Sequence, residues 1–184
     1  MVLSFSAALV GADLIVFTCF VVSIFVKIGI PDNLSTTYYL FGNVRKGSGY
    51  FFPAVVLFIC STGVPVWIST TSHASPWGSK FTFLPYITLV CLLSVASTAQ
   101  YKKNKMLTYF HYVVAIIAAV TAVAWISLVA YKLIPIGFFI LFAWLYAGIR
   151  TKTLKTCPLF WLEIAGFYAI IVLLLLVKLI PVSI

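Results

Sequence analysis

Acidic side chains are almost missing from this chain. Asp13, Asp32 and Glu163 are the only three carboxylates in 184 residues, and His73 and His111 are the only two imidazoles. Catalytic zinc takes three protein ligands as a rule, and two histidines expected on opposite faces of a membrane cannot supply them. No metal site and no cofactor is therefore expected. Charge of either sign is scarce as well, at 8% of residues against roughly 25% in soluble domains. The four cysteines, Cys19, Cys60, Cys91 and Cys157, form no CxxC pair, and three fall in apolar runs where cysteine behaves as a small buried hydrophobe. Gly-rich phosphate cradles, nucleophile elbows, HExxH and selectivity-filter sequences are also missing, which sets aside the familiar enzymes and channels that carry them.

What the chain has instead is apolar length. Hydrophobic residues make up 64% of it and the mean hydropathy is +1.17. A bilayer core of about 30 Å takes about 20 residues per helix, so the chain has room for about five to seven spans and for no separate soluble domain. The reading is an all-α polytopic transmembrane helical bundle, a single domain over residues 1–184 with six spans near 3–30, 50–69, 81–100, 111–130, 136–149 and 159–180. The first run carries no basic leader with a small-residue cleavage site, so it is expected to be a retained helix. Pro31 should stop it, since proline cannot continue a helix and biases its predecessor away from helical geometry. A short interfacial helix near 35–41, capped by Ser35 or Asp32, is expected along the membrane surface. Pro65, within the second span, should kink it and free the Ser61 carbonyl.

The formal charge of +9 follows from topology and not from nucleic-acid binding. With six spans, Lys27, Arg45, Lys46, Lys102, Lys103, Lys105, Arg150, Lys152 and Lys155 share one side, and Lys80, Lys132 and Lys178 the other. Positive residues in short loops favour the cytoplasmic side, so both termini are expected on the non-cytoplasmic side of the cell (inner) membrane. The basic face should attract anionic lipid headgroups, at about 1 kcal/mol per basic residue.

Acids in an apolar setting are the first candidates for chemistry. Aspartate in hydrocarbon costs about 2.5–3.5 kcal/mol on insertion scales and marks an ion, proton or ligand site by default. Asp13 fits that description if its helix begins near Leu3, and simply meets water if the helix is centred lower. Glu163, about one turn into the last span, is the better placed of the two. Asp13, the Ser61–Pro65 region, Thr88 and, more weakly, Tyr86 and Tyr168 would share a pocket on the outer half. On the inner face, Asp32, Ser35, His111 and Glu163 are topologically free to meet, giving a nucleophile with an acid–base pair. His73 reads as a solvated loop residue. The Ala115, Ala118, Ala119 and Ala122 face and the Ser94, Ser97 and Thr98 face read as close-packing signals.

Three functions remain open on these grounds. The first is binding or translocation of a small molecule, lipid or ion through a pocket with intramembrane carboxylates. The second is a membrane enzyme acting on a lipid-like substrate at the cytoplasmic face. The third is a structural or assembly subunit that packs on a membrane-protein partner or a second copy of itself.

Overall fold

The computed structural model describes residues 5–73 and 78–179. Seven α-helices and no strand are found among them: α1 Phe5–Lys27, α2 Thr37–Val44, α3 Phe51–His73, α4 Phe83–Ser97, α5 Lys105–Leu128, α6 Ile134–Arg150 and α7 Pro158–Leu179. Helical stretches Phe5–Lys27, Ser48–His73, Lys105–Leu128, Tyr131–Arg150 and Pro158–Leu179 are each long and apolar enough to cross a membrane. This is the build of a membrane-embedded protein. Helix α4 is apolar but has 15 residues, about 22 Å at 1.5 Å per residue. The proposed outermost span limits at Leu3 and Ile180 lie outside the described residues.

The long helices pack in the order α5, α4, α3, α1, α7, α6. The two ends of that arc, α5 and α6, follow one another in sequence yet barely touch along their lengths. Helix α6 rests mainly on α7 and buries only Gly148, where an added methyl group would lie 3.0 Å from the Trp161 ring. A single aliphatic and aromatic core runs through α1, α3, α4, α5 and α7.

Several boundaries differ from the sequence reading, each for a local reason. α1 ends at Lys27 because Gly29 takes φ +89° and its N–H reaches back to the Ile24 carbonyl, a left-handed stop that precedes Pro31. α5 begins at Lys105 because Asn104 caps it, its side chain accepting from the Met106 N–H at 2.9 Å. His111 is thus nearly two turns inside the helix and not at its opening. Pro135 lies in the first turn of α6, where a missing N–H is harmless, so α6 starts at Ile134, two residues before the span start expected at 136. α3 continues through Pro65 to His73, and His73 closes that helix, exposed, instead of lying in a loop.

The segment between α1 and α3 is sunk into the end of the bundle. Asn33, and neither Ser35 nor Asp32, is its cap: Asn33 Oδ1 accepts from both the N–H and the hydroxyl of Thr36, each at 2.9 Å. Leu34, Ser35, Thr36 and Thr37 are all buried. α2 follows, held by Phe41 against Phe20 and Phe51 and by close approach of Gly49 to the Tyr38 carbonyl, where any side chain would collide. The Tyr38 hydroxyl accepts from Gln100 at 2.6 Å and the Tyr39 hydroxyl from the Lys102 N–H at 2.8 Å. These bonds join this segment to the α4–α5 connector. Most of the chain's basic residues stand in the connectors and terminal helical residues at this end, called the basic end below.

Candidate functional site

The bundle is hollow. A cavity of about 760 Å3 is walled by residues from α1, α3, α4, α5, α6 and α7 and by Leu34 and Ser35. Its size falls within the roughly 300–1,000 Å3 of small-molecule sites. Leu159 and Leu174 of α7 both line it, and the helical rise over the fifteen positions from one to the other makes it about 22 Å long.

Small side chains create this space. Ala115, Ala118, Ala119 and Ala122 of α5 all line the cavity, with Gly137 of α6 and Ala165, Gly166 and Ala169 of α7. The alanine face of α5 therefore borders this space, while Ala118 is also buried in the core beside Ala115 and Ala122. A methyl group added at Gly166 would meet nothing within 4 Å. Several lining residues are also exposed on the outside of the bundle: Tyr112, Ile116 and Val123 of α5, Phe138 of α6, and Leu159 and Leu162 of α7. They form the rim of an opening on the side where α5 and α6 fail to meet.

Polar groups are concentrated toward the basic end. The Glu163 carboxylate, partly accessible, accepts the Leu34 N–H at 2.6 Å. Next to Leu34, the Ser35 hydroxyl, 6% exposed, lies 2.9 Å from His111 Nε2. The other imidazole nitrogen, Nδ1, lies 2.8 Å from Thr98 Oγ1. When the Thr98 hydroxyl donates to the Ser94 carbonyl, 2.7 Å away, its oxygen accepts from His111. In the neutral imidazole, Nδ1 then carries the hydrogen and Nε2 presents its lone pair to the Ser35 O–H. Tyr101 stacks on the imidazole with ring centroids 4.3 Å apart, and its hydroxyl lies 3.2 Å from Thr36 Oγ1. His111 is 1% exposed and held on every side by named groups.

Farther along the wall stands Asp13, 1% exposed. Its Oδ1 accepts from Thr62 Oγ1 at 2.5 Å, and its Oδ2 lies against Gly63, where an added methyl group would collide with it. Beyond it, Trp67 lines the cavity, and its buried indole N–H is without a hydrogen-bond acceptor among the described residues. Trp125, edge-to-face with Trp67 at 5.3 Å, donates its own N–H to Thr71 at 2.7 Å. No lysine or arginine lines the cavity.

The structure thus brings Ser35, His111 and Glu163 to one end and places Asp13 and Thr88 on the same cavity wall. Asp32 is exposed and apart from them. Tyr86 is 53% exposed on the outside of α4. Tyr168 donates to Thr18 Oγ1 at 3.0 Å and stacks on Trp144, away from the cavity lining. Thr88 pairs with Thr121 at 2.7 Å across α4 and α5. No group of three or more His, Cys, Asp or Glu side chains suited to a metal ion occurs among the described residues. Compared with known proteins, the chain matches no family model, no curated protein and no solved structure.

Asn33, Trp67 and Thr98 escape the sequence reading as contributors to this site, whereas Thr62 lies in the Ser61–Pro65 region expected beside Asp13. Asn33 carries a visible signal, because asparagine caps helices as well as aspartate or serine does. Thr98 does not, since a helical threonine looks the same whether it bonds its own backbone or a neighbour as well.

Proposed function

We propose that this is a six-span membrane protein that takes an uncharged or cationic amphiphile from the bilayer into the cavity between α5 and α7. The apolar part occupies the alanine- and glycine-lined shaft, and the polar part lies toward Ser35 and Glu163. The observation that carries this reading is a ligand-sized cavity with a largely apolar wall and few polar lining groups, Ser35 and Glu163 at the basic end and Asp13, Thr88 and Trp67 farther along. A rim of exposed apolar side chains, facing lipid and cavity alike, supports access from the side. The two carboxylates and the lack of any lining lysine or arginine favour an uncharged or cationic polar group over an anion. The unpartnered Trp67 N–H suits a further polar atom of such a ligand.

The sixth span is α4, extended by the 3-10 turn Gly78–Phe81. A short helix is accommodated by local bilayer thinning at modest cost. The division of twelve basic residues into nine and three supports a cytoplasmic basic end and termini on the other side, in the cell (inner) membrane. Anionic headgroups then gather around the basic connectors while the cavity itself selects against them.

Native mass spectrometry tests this. The wild-type protein, released from mild detergent, is expected to retain a bound uncharged or cationic amphiphile. The Ala119→Trp/Gly166→Leu variant, which fills the shaft, is expected to lose it while keeping its thermal unfolding transition. Equal retention by a folded variant contradicts the assignment of the cavity.

A further inference from the structure

We infer that Ser35 is a nucleophile for acyl transfer, with His111 as its general base, acting on a long-chain ester held in the cavity. The inference rests on the amphiphile cavity and adds a reaction to it. Three observations lead here. Ser35 lines the cavity while His111 lies behind it, out of contact with the cavity. The hydroxyl and the imidazole are 2.9 Å apart, within the reach a base needs for the proton that it removes. A Thr98 hydroxyl that donates to the Ser94 carbonyl favours the tautomer whose free nitrogen faces Ser35.

A purely structural tie between the α1–α3 segment and α5 would not need to place the hydroxyl on a ligand-sized cavity. Here the nucleophile, its base and the group that orients the base occur in sequence from the cavity outward. Thr98 takes the orienting position that an acid holds in other nucleophile–base pairs. It and Glu163, which holds Leu34, are positioning residues.

Ser35 Oγ attacks the ester carbonyl carbon as its proton passes to His111 Nε2. Collapse of the tetrahedral adduct breaks the C–O bond, and His111 returns the proton to the departing alkoxide, which leaves as an alcohol. Water then attacks the acyl-serine, losing a proton to His111, and the Oγ–C bond breaks with that proton restored to Ser35. A carboxylic acid is released, and its anion is disfavoured beside Glu163 and Asp13.

A long-chain alkyl fluorophosphonate, uncharged and amphiphilic, tests the inference on the full chain in detergent. Attack by Ser35 Oγ forms an O–P bond and expels fluoride, and intact-mass and peptide mapping locate the adduct. The expected result is one adduct on Ser35, absent in Ser35→Ala. His111→Gln can still accept from Ser35 and donate to Thr98 but cannot act as a base. Its labelling rate is expected to fall by about 10²–10⁴-fold, the range for general-base catalysis, with the unfolding temperature kept. Thr98→Val should slow labelling and Thr98→Ser should restore it. Reversible occupancy of the cavity by the probe without an adduct overturns the nucleophile and leaves the cavity reading standing. An adduct formed at an unchanged rate in folded His111→Gln overturns the base. Neither occupancy nor adduct overturns both readings.

Discussion

The two ends of the cavity are built on opposite principles. At the basic end nearly every polar atom is matched: Glu163 with the Leu34 N–H, Asn33 with Thr36, Ser35 with His111, and His111 with Thr98. Along the shaft the wall is mostly apolar, methyl groups and glycine backbone interrupted by Asp13, Thr88 and Trp67, beside two helices that barely touch. One end fixes geometry and the other preserves volume. A buried polar group costs free energy unless it is bonded, so a matched network holds its members in one arrangement. An apolar void loses dispersion contacts, so a membrane protein that keeps one open forgoes stability that packing would provide.

Substitutions at the two ends should therefore differ in sign as well as in size. The largest effect is expected on the wall between them, at Gly63, where the Asp13 carboxylate leaves no room for a Cβ. Gly63→Val should destabilise by about 3 kcal/mol or more, at or above the top of the usual range for overpacking, read as a lower thermal unfolding temperature in detergent. At the basic end, Glu163→Leu removes the acceptor of a buried N–H and should cost about 1–3 kcal/mol. Glu163→Gln keeps an acceptor and should recover most of that loss. The smallest effect is expected in the shaft. Gly166→Leu enters open space and improves helix propensity by up to about 1 kcal/mol, so it should leave the unfolding temperature unchanged or raise it. A loss as large as that of Gly63→Val would mean that the shaft is packed shut and would remove the contrast between the ends.

The long apolar helices were legible because about 20 apolar residues in succession have few alternatives to a membrane-crossing helix. Their ends were less so. The stop at Gly29, two residues before the more conspicuous Pro31, depends on a backbone angle, and the start at Lys105 depends on which of several polar residues turns its side chain back as a cap. Ser35, His111 and Glu163 stood out in the sequence because few polar groups compete with them in so apolar a chain. Asp32 stood out for the same reason but lies at the surface, while its neighbour Asn33 is turned inward as the cap. The alanine face of α5 was visible as a face, yet periodicity tells which residues lie together and not what they look upon. Only the splaying of α5 from α6 shows that they border a cavity.

Photo-crosslinking addresses the central claim most directly. An uncharged amphiphile with a photoreactive group in its apolar chain, added to the protein in lipid nanodiscs, is expected to mark cavity-facing residues of α5 and α7, Ala119 and Gly166 among them. Excess unlabelled amphiphile should compete away these adducts. Adducts confined to outward-facing residues such as Val120 and Phe139, and insensitive to competition, would contradict a cavity that takes up an amphiphile from the bilayer.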